Sequence, residues 1–137
     1  MNCVFVFGTL KEGFANFHAN LGTQTGGEYV TCSKFPLYLV GDRHSPWMIN
    51  MEGMGKRVRG QVFKVDEVAL EAMDRLERIH EPDGYQRISI QVASERDTIT
   101  AFAYVKPASA LDNAEIKAGP LECYEQHHDG LYRPRAG

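Results

Sequence analysis

Apolar and polar residues alternate with a period of two in this chain, and that pattern constrains its fold more than any other feature. Arg87–Val92 sets Ile88, Ile90 and Val92 on one face. Thr98–Val105 sets Ile99, Ala101, Ala103 and Val105 against Thr98, Thr100, Phe102 and Tyr104. Such alternation marks half-buried strands. Cys3–Phe7 is apolar throughout, as in a strand covered on both faces. Val58–Val65 reads as a fourth strand, and Tyr29–Cys32 and Leu37–Val40 as shorter ones. Five or six short strands in 137 residues predict a strongly curved sheet or a small barrel in one domain, residues 1–137.

Two segments carry helical spacing. Glu67–Arg78 follows a plausible N-cap, Asp66, and its apolar stripe is Ala69, Leu70, Ala72, Met73 and Leu76. Phe14, Phe17 and Leu21 fall at i, i+3 and i+7, with Gly22 placed to end a second helix. Residues 8–13, 42–57 and 106–137 read as irregular, the last stretch as a tail wrapping the body.

Composition narrows the class. Hydrophobic residues at 43% and charged residues at 24% fit a soluble globular domain. A formal charge of −3 argues against a general nucleic-acid binder, which would carry a basic stripe. No apolar run of about 18 residues is present to span a membrane, and the start lacks signal-peptide character. Cys3, Cys32 and Cys123 are odd in number, widely spaced and without a CxxC pair. They predict free thiols, a reducing cytoplasmic compartment and no disulfide scaffold. The expected form is a monomer.

The candidate chemistry is sparse. On a helix, Leu70, Met73 and Glu77 lie nearly on one line while Glu67, Glu71, Arg75 and Arg78 point away. Glu77 therefore stands at the margin of the buried stripe, where desolvation would raise its pKa toward the range useful for proton transfer. The competing reading is a glutamate that reaches solvent or pairs with a buried cation. Gly8–Gly13 follows a strand, and successive N–H groups in such a turn can cradle a carboxylate or oxyanion. Alternatively, its glycines only permit a tight turn. It lacks the GxxxxGK[ST] spacing of a phosphate loop. Gly53–Arg57 is a weak phosphate candidate, better read as a solvated loop. His127-His128-Asp129 lacks a second cluster at zinc spacing. Neither a cysteine nucleophile nor a GxSxG serine is supported. Phe63, Phe102 and Tyr104 read as core or pocket wall.

Several of these segments together resemble the gamma-glutamyl cyclotransferase-like superfamily. They are Val4–Lys11 with Gly13 and Asn16, then Phe35–Gly41, Pro46-Trp47, and Gly60–Asp66 followed by Leu70, Asp74 and Glu77. Tyr85–Arg87 and the ending Gly130–Arg135 complete them. The branch they are most similar to is the gamma-glutamylamine cyclotransferases. The resemblance implies an α+β fold, a small mixed β-barrel with flanking helices. It implies release of 5-oxoproline from a gamma-glutamyl amine, such as gamma-glutamyl-lysine, without metal or cofactor. It places the catalytic carboxylate at Glu77 and the substrate-holding loop at Phe7, Gly8, Thr9 and Leu10. Tyr85 is a further expected substrate contact, although Tyr85 and Arg87 can also be read as a plain strand start with a surface arginine. Phe7 stands where the family usually has tyrosine, which is neutral if only the backbone binds. Two alternatives stay open: the same reaction on other gamma-glutamyl amino acids, glutathione or metabolites, and a non-catalytic binding module for a small ligand.

Overall fold

The computed structural model describes residues 2–134. In chain order the strands are β1 (Asn2–Val6), β2 (Thr23–Phe35), β3 (Leu37–Val40), β4 (Ser45–Met48), β5 (Lys56–Val65), β6 (Gln86–Ala93), β7 (Thr98–Val105) and β8 (Ile116–Ala118). The helices are α1 (Glu67–Leu76) and α2 (Gln126–Asp129), with three-residue and four-residue 3₁₀ turns at Phe17–Ala19 and Ala108–Leu111.

Five strands close a barrel in the order β1-β5-β2-β6-β7. Neighbours are antiparallel except at the closure, where β1 meets β7 in parallel at Val4↔Phe102. The barrel is therefore mixed, and the fold is α+β as expected. Strand β2 is long enough to pair with both β5 and β6 because its register shifts between Thr25 and Glu28 and again between Val30 and Lys34. Bulges of this kind bend a strand and tighten its twist. A second sheet, β4-β3-β8, lies beside the barrel.

Two packed layers explain the sequence pattern. One cluster, including Phe5, Val58, Val62, Val92, Ala103 and Val105, forms the larger core. A second, Val4, Val6, Phe63, Val65 and Tyr104, faces outward and is covered by Ala69, Leu70 and Met73 of α1. Strand β1 is thus buried on both faces, which is why Cys3–Phe7 shows no alternation. The same cover buries Tyr104, a residue on the polar side of its strand's alternation. Burying Leu70 and Met73 stabilises the fold by roughly 1.5–3 kcal/mol each.

Four expectations are corrected. The Phe14–Leu21 helix is absent: only one 3₁₀ turn forms, and Leu21 is 60% exposed. Here Asn20 Nδ2 donates to the Leu10 carbonyl and Asn20 Oδ1 accepts from the Gly22 N–H, so the local side chain takes bonds that a helix would need. Helix α1 ends at Leu76, not Arg78, and Leu76 is exposed while Ala72 is half-buried. Residues 42–57 are not wholly irregular, since they contain β4. The tail contains β8 and α2, and it wraps the body as expected, with Tyr124 fully buried.

Candidate active site

Helix α1 starts with the Asp66 side chain accepting from the Ala69 N–H at 2.8 Å. It ends at Glu77, the C-cap. Arg78 follows in the left-handed region, at φ 56°. Its N–H donates to the Arg75 carbonyl, and the Ile79 N–H donates to Asp74. This pair of bonds closes a Schellman turn around a residue that is not glycine. The chain then loops back through Pro82 and Gly84, and the Tyr85 N–H donates to the Glu77 carbonyl at 2.9 Å. A Cβ on Gly84 would stand 1.6 Å from the Arg78 carbonyl oxygen, so only glycine lets the loop fold this tightly. Glu77 and Tyr85 are thereby delivered to the same place.

That place is a cavity of about 940 Å³. Phe7, Gly8, Thr9, Leu10, Glu77 and Tyr85 all line it. Every residue expected at the site is therefore on one cavity wall or another. The turn after β1 is held by bonds that use its carbonyls. Lys11 N–H donates to Gly8, Asn16 N–H to Thr9, and Asn20 Nδ2 to Leu10. The N–H groups of Gly8, Thr9 and Leu10 donate in none of these bonds. Gly8 is pressed by Pro46, whose Cγ would lie 2.8 Å from an added Cβ. Phe7 is buried and packs with Phe5 in the barrel core, ring centroids 6.3 Å apart.

Beneath Glu77, one turn earlier on α1, lies Asp74. It accepts from Arg87 Nη1 at 2.8 Å and from the Tyr104 hydroxyl at 2.7 Å. Its side chain is only 13% exposed. Burial first, then the hydrogen bond to Asp74, its charge and that of Glu77, pushes the Tyr104 hydroxyl far above its usual pKa. Glu77 is thus not the sole inward acid of the helix. Arg87 does not simply face solvent either: its guanidinium bridges Asp74 and lies over the Phe102 ring, 4.5 Å from the centroid.

Lys106, directly after β7, belongs to the site although no local pattern in the sequence marks it. It is buried, lines the cavity, and donates from Nζ to the Asp83 carbonyl at 2.6 Å. Its ammonium sits over the Tyr85 ring at 4.4 Å and the Trp47 ring at 4.8 Å. An isolated parallel bridge between Ile49 and Lys106 holds it there. The Tyr85 hydroxyl donates to the Pro46 carbonyl at 3.3 Å. Asn16, Arg43 and Tyr132 also line the cavity.

The other candidates fall elsewhere. Asp42, Arg43, Ser45, Pro46 and Trp47 line the cavity, but residues 51–57 do not. Lys56 and Arg57 are exposed at the start of β5. His128 stacks on Tyr124, ring centroids 5.8 Å apart, and its Nδ1 accepts from the Glu125 N–H. Cys3 and Cys123 are half-buried and Cys32 is exposed, all as free thiols. Arg135 lies outside the described residues. Among the described residues, no helix is long and apolar enough to cross a membrane.

The closed mixed barrel thus sets a helix-terminal carboxylate and a glycine-containing turn on one cavity. Residues 4–133 match the family described as Gamma-glutamyl cyclotransferase, AIG2-like, and the chain belongs to that family. It is 36% identical to the Gamma-glutamylaminecyclotransferase of Mus musculus, over 96% of each chain, and 34% identical to that of Homo sapiens, over 98% of each. Danio rerio Gamma-glutamylaminecyclotransferase B is 36% identical over 77% of this chain, which spans about 60% of that relative's length. A crystal structure of an AIG2-like protein from Mus musculus superposes with a TM-score of 0.82 at 31% identity, covering 100% of this chain and 98% of that one.

Proposed function

We propose that the protein is a gamma-glutamylamine cyclotransferase, with Glu77 as the group that moves the proton. The observation that carries this reading is the meeting of Glu77 with the Gly8–Leu10 turn on one cavity. The substrate's α-amine attacks its own γ-amide carbon. A ring C–N bond forms, the C–N bond to the leaving amine breaks, and the products are 5-oxoproline and a free amine. No water enters the balance. Because the nucleophile is tethered, orientation alone can supply roughly 7–11 kcal/mol of the barrier. What remains is proton traffic: the ammonium must lose a proton before attack, and the leaving amine must gain one before departure. A carboxylate between the two nitrogens does both.

The N–H groups of Gly8, Thr9 and Leu10 hold the glutamyl part and the oxyanion that develops on the γ-carbonyl. Phe7 takes part through its backbone, so the missing tyrosine hydroxyl costs nothing. Tyr85 forms the wall next to Glu77, its ring held by Lys106 and its hydroxyl by Pro46. The reaction runs without metal or cofactor, in a single cytoplasmic domain acting as a monomer. The test is 5-oxoproline release from gamma-glutamyl-ε-lysine, gamma-glutamyl-alanine and glutathione. Release from the lysine compound in preference to the others is expected. Release only from glutathione or the alanine compound would move the protein to another branch. No release from any, by folded protein, would overturn the reading.

A further inference from the structure

The cavity is far larger than a glutamyl group requires, and its outer wall has its own polar construction. Tyr132, from the tail, and Arg43, from the turn between β3 and β4, meet there. The Arg43 backbone carbonyl accepts from the Arg133 N–H at 2.9 Å, and Arg43 Nε donates to the Arg133 carbonyl at 3.0 Å, so the two segments are clasped together. Arg43 Nη2 donates to the Tyr132 hydroxyl oxygen at 3.2 Å. Asn16 Nδ2 donates to the same oxygen at 3.2 Å and to Thr9 Oγ1 at 2.9 Å. The Tyr132 oxygen therefore receives two donors. Its own proton is left to give, and among the described residues no acceptor takes it. Arg43 is half-buried and, among the described residues, pairs with no carboxylate. A guanidinium and a hydroxyl proton facing one space make a receptor for an anion of carboxylate geometry.

We propose that Arg43 and Tyr132 read a carboxylate carried by the leaving amine, and so select substrates whose leaving group is an amino acid with its acid free. This rests on the cyclotransferase reading above, in which the Gly8–Leu10 turn already holds the glutamyl end. The remaining carboxylate of such a substrate belongs to the amine. Two acids, Asp42 and Glu115, line the same end of the cavity. Glu115 is engaged by Lys117, and Asp42 is exposed. A cation and acids side by side suit a zwitterionic head, with an ammonium next to its carboxylate. They do not suit a plain polyamine or a lysine embedded in a peptide.

The test compares gamma-glutamyl-ε-lysine with its lysinamide counterpart, in which the acid is capped. The native enzyme is expected to favour the free acid roughly tenfold or more in kcat/KM, the difference lying in KM, as befits hydrogen bonds to a charged group. In Tyr132→Phe and in Arg43→Gln that preference collapses toward one. Tyr132→Phe leaves the Arg43–Arg133 clasp in place, so it separates recognition from loss of the strap. Binding of Nε-acetyl-lysine against Nε-acetyl-lysinamide, by calorimetry, makes the same comparison without turnover and stands even if no substrate is cleaved. A native protein that does not discriminate acid from amide in either measurement, or a Tyr132→Phe variant that keeps the full preference, would overturn the proposal.

Discussion

Asp74→Ala should be the most damaging single change outside the barrel core. Asp74 accepts from the Arg87 guanidinium at 2.8 Å and the Tyr104 hydroxyl at 2.7 Å. Alanine removes both acceptors at once. The Tyr104 side chain is buried, so its hydroxyl is left without a partner where water enters poorly, at about 1–3 kcal/mol. Arg87 is 29% exposed and recovers some solvation. The combined cost is about 3–4 kcal/mol, at the lower end of what breaking a buried pair incurs. For a domain of this size that lowers Tm by roughly 10 °C. Asp74→Asn keeps the shape and an acceptor for Tyr104 but not the charge, and should cost about 1–2 kcal/mol. Calorimetric melts of both variants, together with Tyr104→Phe and the double variant Asp74→Ala/Tyr104→Phe, give the coupling energy directly. The double variant should recover part of the loss because no hydroxyl is then stranded. An Asp74→Ala variant melting within about 2 °C of the native protein, or strict additivity in the cycle, would refute this account of the network.

Three further outcomes are expected. Gly84→Ala forces a Cβ onto the Arg78 carbonyl and should break the Tyr85–Glu77 backbone bond, costing about 1–3 kcal/mol and lowering kcat; wild-type melting and turnover would refute the close-approach argument. Gly8→Ala presses on Pro46 and should raise KM for every gamma-glutamyl substrate, with a stability loss of about 1–3 kcal/mol; an unchanged KM would separate the turn from substrate binding. Burial raises the Tyr104 and Tyr124 hydroxyls above the ordinary value of 10.0. The folded chain then keeps protons that the unfolded chain gives up, so this contribution is intact below pH 10 and falls as pH rises beyond it, by up to about 1.4 kcal/mol per pH unit for each group. An ultraviolet titration should show two of the six tyrosines ionising only on unfolding, and reversible ionisation of all six in the folded state would contradict it.

What the sequence disclosed followed from how local each signal is. Strands β6 and β7 announce themselves because one face is apolar and the other mostly polar. Glu77 was visible because helical geometry places it in line with Leu70 and Met73. Of strand β2 only Tyr29–Cys32 carries a strand pattern, since its bulges and Gly26-Gly27 interrupt any simple period. Strand β4 carries Pro46, which an edge strand tolerates but which hides the strand from pattern reading. Asp74 and Arg87 each look solvent-facing alone; only the packing of α1 against β6 and β7 turns them into a pair. Arg43, Lys106 and Tyr132 come from three distant segments, and no spacing rule joins them. The apparent Phe14–Leu21 helix failed for the converse reason, a correct local period overruled by asparagine side chains bonding back to the turn.

The most direct measurement of the central claim is 5-oxoproline release by Glu77→Gln beside the native protein, with gamma-glutamyl-ε-lysine as substrate and substrate affinity and melting temperature recorded for both. Glutamine keeps the shape and the backbone bond to Tyr85 but cannot carry a proton between the two nitrogens. Release should fall by roughly 10²–10⁴-fold, with affinity within a few-fold of native and the fold intact. A folded Glu77→Gln variant that turns over at the native rate would remove Glu77 from the chemistry.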